Sequence, residues 1–258
     1  MNSHKHLLYD VQAKLYDYLY SYKDYKKEVK VTLMHANLDP KKESPRILDL
    51  ACGTGEHIRH LGDALPKASI EGVDINTGSV NLARDKFKKN NNISIAVDEM
   101  SNFLRSTDKQ YDLITCFFAS LQYITNPSDL RSLIKNIYSH LLPGATFIFD
   151  LRYAYEHWQD SQIVASTYHD ENIDISLVGM PFANGKFVSW NPSITWKERG
   201  HIDMFVDEHS IYLYSIDDLN DYLNDAGFTA KIYNGFSKTK YTGKEPPLFI
   251  ARKTEFLK

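Results

Sequence analysis

The chain has 258 residues, 43% of them apolar, enough for a substantial core built as one α/β domain with an insertion. Its 30 basic and 33 acidic residues give a net charge of −3, without the basic excess of a general nucleic-acid binder, so no nucleic-acid partner is expected. Two cysteines without metal-ligand spacing, an opening MNSHKHLLYD without a signal-peptide core, and no apolar run of membrane-spanning length predict a cytoplasmic chain with no disulfide, metal or membrane partner.

Residues 7–37 are rich in tyrosine, including Tyr9, Tyr16, Tyr18, Tyr20, Tyr22 and Tyr25, and predict two helices. Asp39–Pro45 is a proline-punctuated linker. Strands and helices then alternate: strand Arg46–Ala51, helix His57–Leu65, strand Ser69–Asp74, helix Gly78–Lys89, strand Ile93–Val97, strand Tyr111–Phe118 and helix Ser128–Leu142. The basic stretch Arg84–Lys89 reads as the solvated end of its helix. Pro143-Gly144 is expected to end the long helix before a strand at Thr146–Leu151. Such alternation predicts a doubly wound parallel sheet.

Beyond Arg152 the period changes. Ile163–Tyr168, Ile173–Val178, Phe187–Trp196 and His201–Tyr214 predict antiparallel strands with turns at Asn184-Gly185 and Arg199-Gly200. Helix Ile216–Ala226, stopped by Gly227, and strands Thr229–Phe236 and Leu248–Arg252 restore the α/β pattern. An insertion at this point of the chain lies at the carboxyl edge of the sheet, over the ligand crevice, and is expected to act as a lid.

Chemistry concentrates where the first strand ends. Ile47-Leu48-Asp49-Leu50-Ala51-Cys52-Gly53-Thr54-Gly55 places two glycines in a strand-to-helix turn, where the backbone can approach a ligand closely. Asp74, ending the second strand, can accept from both hydroxyls of a ribose. Ile58 occupies the place where a dinucleotide fingerprint wants its last glycine or alanine, which disfavours a nicotinamide enzyme.

The block D-L-A-C-G-T-G (49–55) resembles motif I of the class I S-adenosylmethionine-dependent methyltransferases. GVDIN (72–76), AVDEM (96–100), YDLITCFFASLQYI (111–124) and LLPGATFIFDL (141–151) follow in that family's order and spacing. The resemblance covers roughly residues 46–151 and the C-terminal helix and strands. It implies an α/β, doubly wound, Rossmann-like seven-stranded sheet whose last strand is antiparallel, carrying an antiparallel β lid. The expected divisions are a helical cover over 1–45, a cofactor-binding core over 46–151, the lid over 152–212, and a completing helix and strands over 213–258.

Within the family the chain is similar to small-molecule members, the sugar-amine N,N-dimethyltransferases and glycine N-methyltransferase-like enzymes. The basis is Tyr9-Asp10 and Tyr16-Asp17, CGTGEH (52–57), the β insertion, and DEHSIYLYS (207–215) at the return from the lid. The similarity implies methyl transfer to a small-molecule acceptor, with an amine expected and a hydroxyl or carboxylate as the competing acceptor. A cofactor-binding but non-catalytic partner subunit is the alternative from another class, and a homodimer stays open. The apolar FFAS stretch lacks the N-P-P-Y signature of adenine or glutamine methylation, and no acidic cluster suits a metal-dependent catechol enzyme.

Site residues follow from the resemblance. Tyr16, Asp49, Ala51, Gly53, Gly55, Asp74, Ile75, Asp98, Glu99, Met100 and Phe117 are expected at the cofactor. Asp98 and Glu99 compete to accept from the adenine amine. Tyr9, Ala119, Tyr123 and Tyr212 are expected at the acceptor, and Phe117 with Ala119 along the methyl channel. Alternation over His201–Tyr214 puts Asp203, Phe205, Asp207, His209 and Ile211 on one face. His209 is the candidate catalytic base for an amine that must lose a proton, and an ordinary buried histidine is the competing reading. His57, in the first turn after the glycine loop, is expected to be structural or cofactor-adjacent.

Overall fold

The computed structural model describes residues 7–39, 41–159 and 162–254. The chain opens with two short helices, α1 (Ala13–Leu19) and α2 (Tyr25–His35), the second capped by the Asp24 carboxylate accepting from the Lys27 amide at 2.9 Å. Then come β1 (Arg46–Leu50), α3 (Glu56–Ala64), β2 (Ser69–Asp74), α4 (Thr77–Phe87), β3 (Ile93–Val97), α5 (Met100–Arg105) and β4 (Tyr111–Cys116). A 3₁₀ turn at Ser120–Tyr123 leads to α6 (Pro127–Ser139) and β5 (Leu141–Asp150). Asn126 caps α6, and Pro127 follows at its first position, where the missing N–H costs nothing.

The insertion supplies β6 (Val164–His169), β7 (Ile173–Gly179), β8 (Phe182–Asn184), β9 (Phe187–Trp190), β10 (Ser193–Glu198), β11 (His201–Val206) and β12 (His209–Tyr212). Helix α7 (Ile216–Ala226), bounded by a Ser215–Asp218 capping box and by Gly227 at φ 99°, returns the chain to β13 (Phe228–Asn234) and β14 (Pro247–Lys253).

Seven strands form one sheet in the order β13-β14-β5-β4-β1-β2-β3, with β14 antiparallel to both neighbours. Strand order reverses between β1 and β4, so the ligand crevice opens at their carboxyl ends. Both faces are covered, which is why the strands read as continuous apolar runs. On one face Leu130, Leu133, Ile134 and Ile137 of α6, with Leu219 and Leu223 of α7, pack on Phe147 and Phe149. On the other, Ile58, Leu61, Ala83 and Phe87 of α3 and α4 pack on Ile47, Ile70 and Ile148.

The insertion forms two sheets, β11-β10-β7-β6 and β12-β9-β8. The first shares a core with the N-terminal segment: Leu8, Leu15, Leu19 and Tyr20 bury against Ile173, Ile175, Leu177 and Ile194. The N-terminal segment and the insertion are therefore packed on each other.

Four local expectations change. Helix α6 stops at Ser139, and Pro143-Gly144 lies inside β5, because the β4–β5 register shifts between Tyr111 and Leu113 and the irregularity absorbs a residue without an amide hydrogen. Phe187–Trp196 breaks at Asn191-Pro192 into β9 and β10 for the same reason. His201–Tyr214 breaks at Asp207, so its single alternation does not hold and its halves join different sheets. Helix α5 was not anticipated; its six polar-rich residues carry little periodicity.

Candidate active site

The loop after β1 is built on positive φ: Ala51 at 55°, Gly53 at 54° and Gly55 at 84°. A Cβ at Gly55 would fall 2.6 Å from the Phe87 ring, so this glycine is required both by conformation and by the close approach of α4. A Cβ at Gly53 would meet no protein atom within 4 Å, and there the backbone alone demands glycine. Ala51 adopts the same region with a side chain, a strain of about 1–2 kcal/mol. The Gly53 amide donates to Asp74 Oδ2 at 2.9 Å, and the Asp74 Oδ1 accepts from the Asn76 amide at 2.8 Å and its Nδ2 at 3.0 Å. Asp74 thus ties the glycine loop to the end of β2. Burial raises its carboxyl above the ordinary value, opposed by these same bonds.

Asp49 lies under the loop, 2% exposed. Its Oδ1 accepts from the Thr115 hydroxyl at 2.6 Å, while its Oδ2 is buried with no partner among the described residues. Burial pushes its pKa up to about 6, against the lowering influence of His57 and Thr115. An orphaned buried carboxylate oxygen is costly unless a donor arrives. The ammonium of an aminoacyl tail is such a donor, so the residues present fit S-adenosylmethionine.

At the end of β3 the two competing acids separate. Glu99 caps α5, its oxygens accepting from Ser101 N at 3.0 Å and Asn102 N at 3.1 Å. Asp98 accepts only from the Glu99 amide at 2.8 Å among the described residues, which leaves it the better placed to take an adenine amine. Met100 begins α5 half-buried against the core, and Ile75 is 39% exposed beside Asp74.

Beyond β4 the Phe117 ring is buried, 4.8 Å from the His57 ring and 5.3 Å from that of Phe236. Phe118, at φ 59°, turns instead toward the N-terminal tyrosines, 4.8 Å from Tyr20 and 5.9 Å from Tyr16. Two adjacent aromatics at a strand end take opposite faces, and that alternation was the available signal. Ala119, also at φ 59°, donates its amide to Asp150 Oδ1 at 3.1 Å.

Tyr9, Tyr123 and His209 are brought together. Tyr9 Oη lies 3.2 Å from Tyr123 Oη, which lies 2.9 Å from His209 Nδ1; His209 Nε2 is 3.5 Å from Asp207 Oδ2. Tyr16 meets Tyr9 edge-on at 5.5 Å. Burial raises the Tyr9, Tyr16 and Tyr123 phenols well above their ordinary value, so all three are neutral hydroxyls that can donate, accept or offer a π face. His209, 3% exposed, is stacked on Trp190 at 5.0 Å and lies 5.4 Å from the Tyr9 ring. Tyr212 points to the opposite face of β12, its ring 5.2 Å from Phe187 and 4.7 Å from Tyr214, so its side chain does not join this group.

Sequence reasoning missed the residues that fasten the cover and the lid. Asp10 Oδ1 accepts from the Gly78 amide at the start of α4 at 2.6 Å; Asp17 accepts from the Thr54 hydroxyl in the glycine loop and binds Lys86 at 2.6 Å. Gln122, fully buried, accepts from the Arg152 amide at 2.8 Å and donates to Tyr153 O at 3.1 Å and Tyr212 O at 3.2 Å. These contacts join residues far apart in sequence, and no local pattern announces them. Asp150 was missed for the same reason.

A glycine loop tied to an acid at the end of β2, an orphaned acid beneath it, and a seven-stranded sheet ending antiparallel define an S-adenosylmethionine-dependent methyltransferase. Residues 47–144 match the methyltransferase domain family Methyltransf_25. The chain is 23% identical over 228 residues to the dTDP-3-amino-3,6-dideoxy-alpha-D-glucopyranose N,N-dimethyltransferase of Streptomyces fradiae, covering 86% of each. A crystal structure of an S-adenosylmethionine-dependent methyltransferase from Clostridium acetobutylicum is 26% identical, covering 95% of this chain and 98% of that one, with a TM-score of 0.78. Streptomyces venezuelae DesVI, at 20% identity, has the same fold: TM-score 0.81, covering 94% of this chain and 98% of that one. The protein is a methyltransferase and S-adenosylmethionine is its cofactor. Among the described residues no helix is long and apolar enough to cross a membrane.

Proposed function

We propose that this enzyme N-methylates a small-molecule amine, with an amino sugar as the favoured acceptor class. The observation that carries the reading is the cluster of neutral phenols, Tyr9, Tyr16 and Tyr123, with the Phe118 ring, beyond the carboxyl end of β4. Such a cluster suits a cationic amine arriving from water and its neutral form once deprotonated. The amino-sugar N,N-dimethyltransferase relative supports the same class. Residues 1–45 and 152–212 would cover a core made by 46–151 and 213–258, in a cytoplasmic enzyme.

When bound, the cofactor supplies a methyl group activated by its sulfonium. Asp74 and Asp98 would hold the nucleoside, and Asp49 the tail. The remaining task falls on the acceptor's proton. An ammonium N–H donates to Tyr123 Oη; the Tyr123 proton passes to His209 Nδ1, leaving the amine neutral and the imidazolium beside Asp207. His209 is a base acting through Tyr123 in this scheme. Once the amine lone pair is exposed, in-line positioning carries the reaction.

The test is a radiolabelled methyl-transfer assay with nucleotide-linked amino sugars, simple amines and matched alcohols. Transfer to the amines with none to the alcohols supports the reading. Transfer to alcohols alone replaces it with O-methylation, and cofactor binding without turnover on any acceptor replaces it with a non-catalytic subunit.

A further inference from the structure

Lys23 lies in the turn between α1 and α2, yet its side chain is only 11% exposed. Its Nζ stands 4.2 Å from the centroid of the Phe118 ring, 5.2 Å from that of Tyr25, and 3.2 Å from Glu28 Oε1. Glu28 also binds His57 Nε2 at 2.8 Å, in the first turn of α3. Burial would raise the Glu28 carboxyl, but its bonds to His57 and Lys23 prevail and hold it below its ordinary value. A lysine gives up hydration and rotamer freedom to be held in this way.

Its position is specific. Phe118 leaves the end of β4, one of the two strands that bound the crevice, and Asp150 at the end of β5 feels the Lys23 charge. At the end of β1, Asp49 offers a buried carboxylate oxygen with no hydrogen-bond donor among the described residues. The crevice therefore holds a fixed cation and an unsatisfied anion, the complement of an α-amino acid's carboxylate and ammonium. The N-terminal end of α3, just after the glycine loop, adds a positive partial charge on the same side as His57.

We propose that Lys23 is the counter-ion for the carboxylate of the cofactor's aminoacyl tail, paired across the crevice with Asp49 at the ammonium. Lys23 has three N–H donors, so it can keep Glu28 while taking the new partner. The assignment rests on the cofactor and is independent of the acceptor. It makes the cover that carries α1 and α2 part of the cofactor site, so the cover reads whether the tail is intact.

The test is calorimetric binding to the full chain of S-adenosylmethionine and of its decarboxylated form, which keeps the sulfonium, ribose, adenine and amine. Wild type is expected to prefer the intact cofactor by about tenfold or more, as a charge-assisted pair demands. Lys23→Met should weaken S-adenosylmethionine by about tenfold while leaving the decarboxylated form within about twofold, and Lys23→Arg should restore part of the preference. Thermal melts of each variant check that it is folded. Equal affinity of wild type for both forms overturns the proposal whether or not the Met variant folds. Equal loss of both in Lys23→Met overturns it in favour of a packing role. Binding of neither form by wild type would remove the cofactor assignment itself, and the proposal with it.

Discussion

Gln122 Nε2 donates to the carbonyl of Tyr212 at 3.2 Å, so the loop that follows β4 holds the far end of the lid directly. The same side chain accepts from Arg152 N and donates to Tyr153 O, where the lid begins. One buried amide therefore fixes both hinges of the insertion to the wall that should orient the acceptor. Gln122→Ala strands backbone groups at both hinges and should cost about 2–3 kcal/mol of stability. The effect on function should appear as a raised acceptor KM with an unchanged cofactor Kd. Urea denaturation and steady-state kinetics check both halves.

Asp74 already accepts three hydrogen bonds, from Gly53 N, Asn76 N and Asn76 Nδ2, and a carboxylate can accept about four. Asp74→Ala removes the ribose acceptor and releases the glycine loop together. Cofactor affinity should fall by about 1–3 kcal/mol, or roughly 5- to 150-fold. Isothermal calorimetry with S-adenosylhomocysteine reads this, and unchanged affinity would take Asp74 out of the site.

Much of the core was legible because buried parallel strands leave uninterrupted apolar runs. The central strands Arg46–Leu50 and Tyr111–Cys116 follow that rule, and the glycine spacing located the loop after β1. Legibility ended where the backbone enters unusual conformations or where contacts are long-range. Phe118 and Ala119, both at φ 59°, turn the chain at the end of β4 and bring the Phe118 ring against Tyr16 and Tyr20. Asp207 splits what reads as one strand because its carboxylate receives the Leu7 and Leu8 amides at 3.1 and 3.0 Å, from the other end of the chain. No periodicity encodes a contact of that range, and the same holds for Lys23 against Phe118.

Tyr123 and His209 act as a unit if the proton leaves through them. Tyr123→Phe breaks the path to the imidazole, and His209→Gln keeps a hydrogen-bonding side chain without a titrating one. Each should lower kcat by about 10²-fold, the size of a general-base contribution, with the cofactor Kd unchanged. The double variant should lose little more than either single one, since both remove the same path. Additive losses in the cycle would show two separate roles and end the relay.

Asp49 gives the pH dependence. Burial holds its carboxyl at about 6 in the folded chain, above an unfolded carboxyl near 4, so the native state binds the extra proton in that window. Stability of the cofactor-free protein should therefore be greatest below about pH 4 with respect to this group and decline as pH rises toward about 6, by roughly 2 kcal/mol. Asp49→Asn removes the decline, because the amide carries no charge to desolvate. Cofactor binding should run the opposite way, strengthening as pH rises through about 6, since the ammonium of the tail prefers the ionised oxygen that has no partner among the described residues. Denaturation curves and calorimetric titrations across this range, on wild type and Asp49→Asn, check the pair of slopes. A flat cofactor affinity in wild type would place the ammonium elsewhere and leave Asp49 as a support for Thr115 alone.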